Sequence, residues 1–309
     1  MTPLCYVFVD YANKKRRRSM LSMLLSRGAN PNPVLSSYFA GKSPLGMAAS
    51  CCSVKMVSIL IHHGANLEVG YPLQTAYEFP VEHPNIPLKK LKITRCFAQA
   101  NGMNFWNSRN RNDETPLDVL CRNYEVHIKT RKIVKLLLHQ GSIITTRTLL
   151  NTFKNGSERI VVYLFHILER YRGQIKNEEG KEEKEKREEE YRSAKGYALL
   201  QAAHLGYLVA SDWLVQRGVD VNFRCGLDGI VPGVEVGDTP LIAAARGDSG
   251  GLAGINDFLL ASGADASIRD YKGKTAAEVL DHNKGGSVGT LFVNDDEEGD
   301  EVELSLMFE

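Results

Sequence analysis

Hydrophobic residues along this chain fall into short clusters that have helical spacing and end at a glycine. Leu60 and Ile61 lie three and four positions after Val57, and Gly64 follows them. This spacing puts the three side chains on one face of a helix. A glycine just past the last apolar residue predicts the end of that helix, since glycine adopts the left-handed backbone conformation without steric strain. Equivalent glycines close later clusters at Gly141, Gly218 and Gly263.

A second helix signal precedes these clusters and combines a hydroxyl residue, a proline and small residues. Its clearest examples are Ser43-Pro44-Leu45, Thr115-Pro116-Leu117 and Thr239-Pro240-Leu241. The hydroxyl can cap a short helix, and the proline then takes the first helical position, where a backbone N–H is not needed. Ser43 lies 21 residues before Gly64, and Tyr197 lies 21 residues before Gly218. The sequence therefore predicts a repeated pair of helices, even where the proline is missing.

This repeated unit resembles the ankyrin repeat, whose period is about 33 residues and whose signature opens with Thr-Pro-Leu. The resemblance implies an all-α solenoid of stacked helix pairs with projecting hairpin loops and diverged terminal caps. Such stacks are stable because each unit buries the apolar face of its neighbour. About seven units and a partial cap fit residues 1–290, with approximate spans of 1–36, 37–69, 70–107, 108–143, 144–190, 191–230, 231–265 and 266–290.

Two segments fall outside the repeat pattern. The charged insert, residues 171–195, contains eight glutamates and five bases between Lys176 and Glu190. Opposite charges four residues apart support a solvated helix, so we expect a charged extension of a repeat helix or a flexible loop. The alternative is a dedicated binding element. The tail, residues 291–309, carries acidic residues without a compensating base. Its composition predicts disorder, although its last apolar residues suit a short docking motif.

The net charge of +1 hides a strong asymmetry along the chain. Residues 1–176 contain 25 basic and 10 acidic side chains, whereas residues 177–309 contain 13 and 27. This asymmetry predicts opposite surface fields and supports an alternative function, in which the basic N-terminal half binds an anionic partner, a nucleic acid or an acidic lipid. Nucleic acid is the less expected partner, since no base-stacking or groove-reading motif accompanies the charge. Lys14–Arg18 is either a nuclear localisation signal or the outer face of the first helix pair.

The apolar stretches are too short for a transmembrane helix. The longest uninterrupted one is Ile160–Phe165, whereas a bilayer span needs roughly 20 residues. At the N-terminus the basic cluster follows the apolar residues, which is the reverse of a secretory signal. Six cysteines without paired CxxC spacing fit neither a disulfide scaffold nor a zinc site. We therefore expect a monomeric cytoplasmic protein, with a nuclear location as the alternative, and neither cofactor nor metal.

One pair of sequence motifs resembles the catalytic motifs of a protease. Gly247–Gly251 matches the nucleophile signature of chymotrypsin-like enzymes, and Ala202-Ala203-His204 resembles their histidine motif. Only 45 residues separate His204 from Ser249, and both lie in predicted helical units rather than in the double β-barrel that holds this chemistry. The two alanines are already explained as the small residues of the sixth unit. We predict no catalytic residues and a non-enzymatic protein.

The resemblance to ankyrin repeats implies a protein–protein interaction module, a scaffold or adaptor that binds a partner protein through the repeat loops and the concave face of the first helices. Large side chains on predicted loops are the candidate contacts, since aromatic residues and arginine are enriched at interface hot spots. For Trp106 the alternative is packing on the adjacent hairpin. The candidates are Tyr38, Phe39, Trp106, Asn107, Arg109, Arg111, Phe223, Arg224, Arg269, Tyr271 and Lys272.

One asparagine is a candidate for hydroxylation. Leu214, five further residues and then Asp220-Val221-Asn222 resemble the pattern that ankyrin proteins present to the asparaginyl hydroxylase of hypoxia-inducible factor. The alternative is an ordinary repeat hairpin, in which Asp220 and Asn222 serve the geometry of the turn.

Overall fold

The computed structural model of the protein describes residues 14–33, 42–78, 85–100, 105–124, 128–172, 181–247 and 253–283, together with Leu4, Val7 and Phe8. Every regular element in these ranges is helical. The α-helices are α1 (Lys14–Ser26), α2 (Pro44–Ser50), α3 (Val54–His62), α4 (Pro72–Glu78), α5 (Ile86–Gln99), α6 (Pro116–Arg122), α7 (Ile128–His139), α8 (Thr146–Phe153), α9 (Glu158–Arg172), α10 (Lys181–His204), α11 (Leu208–Val215), α12 (Pro240–Arg246), α13 (Ala253–Ala261) and α14 (Ala276–Asn283). A 3-10 helix covers Phe105–Asn107.

The helices are arranged in two rows. The even-numbered helices from α2 to α14 contact one another in order and form the inner row, and the odd-numbered helices from α1 to α13 form the outer row. From α2 to α12, each inner helix also packs on the outer helix that follows it. The main cluster of buried apolar side chains runs from Leu4 to Val219 along this stack. The prediction of an all-α solenoid of helix pairs is confirmed.

The predicted caps begin the inner helices. At α6 the Thr115 hydroxyl accepts a hydrogen bond from the N–H of Asp118, at 3.2 Å, and the Asp118 carboxylate accepts one from the N–H of Thr115, at 2.9 Å. Ser43 and Thr239 cap α2 and α12 through their hydroxyls, each before a proline in the first turn. After the outer helices the backbone turns with a positive φ at Gly64, Gly141, Gly218 and Gly263.

The fifth unit has the least regular sequence, yet it folds like its neighbours. The Thr145 hydroxyl accepts a hydrogen bond from the N–H of Thr148, at 3.2 Å, and the Thr148 hydroxyl accepts one from the N–H of Thr145, at 3.0 Å. This capping box begins α8 without a proline. The Asn151 amide then donates to the carbonyl oxygen of Asp118, at 3.0 Å, which ties α8 to α6.

Helix α10 combines the inner helix of the sixth unit with the charged insert. Residues 184–190 are almost all exposed, so this part of the insert is a charged extension of a repeat helix. Tyr191 and Ala194 are buried, and the predicted insert therefore ends too late in the sequence. Glu188 forms an ion pair with Arg172, whose guanidinium lies 4.0 Å from the centre of the Tyr191 ring. These contacts hold the extension against the end of α9.

None of the helices in the described ranges is long and apolar enough to cross a membrane. The cysteines of these ranges are free thiols. Burial raises the pKa of the Cys121 thiol well above its usual range, so this side chain acts as a small apolar residue of the core.

Candidate interaction surface

Three asparagines join neighbouring hairpin regions in the same way. The amide nitrogen of Asn222 donates to the carbonyl oxygen of Gly263, at 3.2 Å, and its amide oxygen accepts from the N–H of Asp265, at 2.8 Å. Asn32 and Asn107 make equivalent pairs of hydrogen bonds to the next unit, at 2.7 to 3.0 Å. Asn107, a predicted partner contact, therefore connects two neighbouring units through hydrogen bonds.

These contacts also bear on the hydroxylation predicted at Asn222. Its backbone N–H donates to the Asp220 carboxylate, at 2.9 Å, and its amide is bonded at both ends. The alternative, a role in the hairpin, matches this geometry. Hydroxylation of Asn222 stays a prediction. Mass spectrometry of the peptide that contains Asn222 would test it, because the modification adds the mass of one oxygen.

Trp106 lies in the core, and the prediction that it contacts a partner is wrong. Its side chain is 4% exposed, and its ring centre lies 4.2 Å from that of Phe105. The Ser142 hydroxyl donates to the Trp106 carbonyl oxygen, at 3.3 Å. The 3-10 helix directs the indole towards the interior of the stack. The alternative interpretation, in which Trp106 packs within the protein, therefore fits the structure.

Arg109 and Arg111 lie on the exposed loop before α6. Nη1 of Arg109 is 2.8 Å from Oδ2 of Asp113. Nη2 of Arg147, at the start of α8, lies 3.6 Å from the same carboxylate oxygen. Two guanidinium groups thus share one carboxylate, and this part of the loop presents a net positive charge to solvent.

Phe223 makes its main contacts inside the protein. Its ring centre lies 5.2 Å from that of Tyr197. A Cβ on Gly196 would approach the Phe223 ring to 2.5 Å, so this glycine in α10 makes room for the ring. Phe223 therefore fastens the loop after α11 to α10 and is a weak candidate for partner contact. Arg224 next to it is exposed.

Arg224, Arg269, Tyr271 and Lys272 form an exposed patch on the last hairpin region. Nη2 of Arg224 donates to the Arg269 carbonyl oxygen, at 2.6 Å. Tyr271 is 61% exposed, and the Lys272 ammonium lies 5.0 Å from the centre of its ring. The same ammonium is 2.9 Å from Glu235. Hydrogen bonds to Tyr271 and Glu235 raise the pKa of Lys272, which keeps its ammonium charged, and Arg269 is paired with Glu278 at 3.0 Å.

A buried ionic network supports this patch. The Arg246 guanidinium lies 3.0 Å from Glu235, 2.8 Å from Asp238 and 2.5 Å from Asp270. The side chains of Asp238 and Asp270 are fully buried. Burial raises the pKa of Asp238, against the opposing effects of the Glu235 N–H and of Arg246. Because an unpaired charge would be strongly unfavourable here, the network fixes the loop before α12 relative to the last hairpin.

Several predicted features lie outside the described residues. These are Tyr38 and Phe39, Ser249 of the protease-like pattern, and the tail. His204 is described, and its Nδ1 lies 3.2 Å from the carbonyl oxygen of Ala243 on α12. In the described part of the chain, no three His, Cys, Asp or Glu side chains come together as metal ligands.

A groove of about 800 Å³ opens on the inner row between α8 and α10. The long loop between α11 and α12 closes one side, where Val231 and Val234 pack with Tyr197 and Leu200. Glycines let this loop lie close to α10, since a Cβ on Gly233 would meet the His204 ring at 2.3 Å. The groove therefore forms only where helices and loops of neighbouring units pack together.

The groove combines apolar walls with a basic rim. Leu150, Leu205 and Ile230 supply apolar surface, and Leu205 is 37% exposed. Three cations also line it, from the loop before α6 and from the two ends of α8: Arg109, Arg147 and Lys154. Glu190 of α10 is the one carboxylate among its lining residues. Sequence reasoning identified only Arg109, because the other residues lie in helices or on a loop whose position depends on packing.

Comparisons with known proteins gave one family match and several structural neighbours. A family model described as the ankyrin repeat matches residues 40–70. Two similar solved structures are the human ASB11 ankyrin repeat domain, at 18% identity over 90% of this chain and 91% of that one with a TM-score of 0.42, and the ankyrin repeat domain of Bcl-3, at 16% identity over 92% and 99% with a TM-score of 0.44. A search of curated proteins gave no significant match.

The match at residues 40–70 contains the capped helix α2, the outer helix α3 and the left-handed Gly64. The same unit of inner helix, outer helix and closing turn recurs along the described chain in the same two rows. Residues 40–70 therefore form an ankyrin repeat, and the rest of the described chain repeats the same architecture.

Proposed function

We propose that this protein is a non-enzymatic scaffold or adaptor that binds a partner protein through the groove between α8 and α10 and the neighbouring loops. Ankyrin repeat domains are in general protein–protein interaction modules. The observation that carries the proposal is the groove, which offers exposed apolar surface inside a basic rim. Protein–protein interfaces combine these two features, an apolar centre and a polar edge.

The basic rim favours a partner segment that carries carboxylates. Arg109 and Arg147 share the single Asp113 carboxylate, and Lys154 is exposed. Opposite charges across an interface accelerate association and select the partner, while Leu205 and Ile230 supply contacts that exclude water. A cytoplasmic location, with the nucleus as the alternative, and a monomeric state belong to this proposal.

Affinity capture with the full-length protein and two matched variants tests it. The groove variant combines Arg147→Glu, Lys154→Glu and Leu205→Asp. The control combines Lys132→Glu, Arg159→Glu and Ile128→Asp, which change exposed residues on α7 and α9 of the outer row. Partners should be captured from native extract by the wild type and the control and lost with the groove variant. If both variants capture the same proteins as the wild type, the groove is not the binding site.

A further inference from the structure

A second cavity, of about 300 Å³, lies where three outer helices begin. Arg17 and Arg18 come from the first turns of α1, Ser53 and Lys55 from the start of α3, and Lys89 from the first turn of α5. The outer helices follow one another in contact along the row. Helices α1, α3 and α5 therefore bring their N-terminal turns to one pocket, on a different row from the groove.

The electrostatics of this pocket are one-sided. Its lining includes four cationic side chains, and no carboxylate is among the described residues that form it. The first turns of α1, α3 and α5 contain no acidic residue. An acid in that turn would normally balance the positive end of the helix dipole. The cations and the helix ends therefore add to one positive potential.

A buried donor in the pocket has no acceptor. The Arg17 side chain is 8% exposed, and its Nε is buried without a hydrogen-bond partner. Leaving a guanidinium N–H buried and unsatisfied is unfavourable, and guanidinium groups suit the planar recognition of phosphate oxygens. The Ser53 side chain makes no capping hydrogen bond to α3, so its hydroxyl does not satisfy the first turn, whose residues Val54 to Met56 also line the cavity.

We propose that this pocket binds a phosphate group, as an inorganic phosphate or a phosphate monoester. Arg17 would donate its free N–H to one oxygen, the first turn of α3 would donate backbone N–H groups, and Lys55 and Lys89 would neutralise the charge. A helix N-terminus flanked by Arg and Lys is a general arrangement for phosphate. Because the groove lies on the inner row, this site does not depend on the function proposed above.

The test is the thermal unfolding of the full-length protein in inorganic phosphate and in sodium chloride at equal ionic strength. Phosphate should raise the midpoint in a saturable way, as ligand binding to the folded state does. Arg17→Met should abolish this rise, and Lys89→Gln should weaken the apparent affinity by about tenfold, the loss expected for one charged hydrogen bond. Lys132→Gln, which removes an exposed base from α7, should leave the affinity unchanged.

Three results would overturn the proposal. Equal midpoints in phosphate and chloride would show that nothing binds. A rise of the midpoint that persists in both Arg17→Met and Lys89→Gln would reflect the general effect of phosphate on the burial of apolar surface. Equal losses in Lys89→Gln and Lys132→Gln would reflect total charge. Lys89→Gln keeps the test decisive if Arg17→Met does not fold, since Lys89 is partly exposed.

A further comparison identifies the source of the phosphate. Calorimetry with soluble inositol trisphosphate is set beside sedimentation with phosphatidylcholine vesicles that contain phosphatidylinositol 4,5-bisphosphate. Binding to both, weakened in Lys89→Gln, supports a lipid headgroup, and binding to the soluble ester alone supports a free metabolite. Binding of neither, with no response to inorganic phosphate, contradicts the site.

Discussion

The surroundings of His166 predict that the stability of this protein depends on pH. It lies partly buried on α9. Burial lowers its pKa first, and the positive charges of Arg217, Arg170 and Arg131 lower it further. The imidazole of an unfolded chain titrates at about pH 6.5. As the pH falls below that value, the unfolded chain takes up the proton before the folded protein does, and the free energy of unfolding decreases.

We expect the protein to unfold at lower urea concentration at about pH 5.5 than at about pH 7.5, and His166→Gln to reduce this difference. His62→Gln, at the exposed end of α3, is the matched control and should keep the difference of the wild type. The measurement is the urea midpoint followed by circular dichroism at both pH values. If His166→Gln keeps the full difference between the two urea midpoints, other groups cause the pH dependence.

A buried carboxylate, that of Asp118, makes one of the polar contacts between units. Asp118 accepts a hydrogen bond from the Thr148 hydroxyl, at 2.5 Å, in addition to its role at the cap of α6. Burial raises the pKa of this carboxyl, against the hydrogen bonds from Thr148 and Thr115 that lower it. One side chain thus caps its own helix and contacts the next inner helix.

At the scale of the elements, stability comes from apolar faces that one helix pair cannot bury alone. Leu137 on α7 is fully buried, in an outer helix that contacts both α5 and α9. We expect Leu137→Ala to lower the free energy of unfolding by about 2 to 4 kcal/mol, because it opens a cavity between units. Chemical denaturation followed by circular dichroism measures the loss.

The charged extension of α10 provides the control for this prediction. Glu185 is exposed, and Glu185→Ala should change the free energy of unfolding by no more than about 0.5 kcal/mol, as surface substitutions usually do. A large effect of Glu185→Ala would show that the extension contributes to the stack before Tyr191. A negligible effect of Leu137→Ala would contradict the packing of α7.

For the whole molecule, the division of charge predicts an internal contact. The tail carries acidic residues without a base, and residues 1–176 have an excess of 15 positive charges. A tethered segment reaches an effective concentration in the millimolar range, while each exposed ion pair contributes only about 0 to 1 kcal/mol. We expect a transient association, and removal of the tail after Val293 should strengthen the binding of an acidic partner at low salt.

NMR spectra of the full-length and truncated proteins at several salt concentrations test this contact. Amide signals of basic residues such as Arg95, Arg109 and Lys132 should differ between the two proteins at low salt and converge at high salt, because ions screen the attraction. Identical spectra at low salt would exclude the association.

The sequence by itself determined the units of this protein, because the relevant signals are local. A hydroxyl cap before Pro116, an apolar face such as that of Val57 and Leu60, and a closing glycine each act within one or two helical turns. The fifth unit carries a weaker signal, since Thr148 takes the place of the Glu or Gln that usually completes a capping box. The charged insert left two possibilities, and the ion pair and ring contact around Arg172 decided for the helix.

Only the tertiary structure decided which side chains face outward and which come together. The sequence places Trp106 and Phe223 on loops, yet Trp106 packs against Phe105 and Phe223 occupies the space that Gly196 leaves free. The groove and the cationic pocket combine residues from separate units, among them Arg17 and Lys89. The periodic pattern predicts that the units stack, but it does not specify which individual side chains of different units meet.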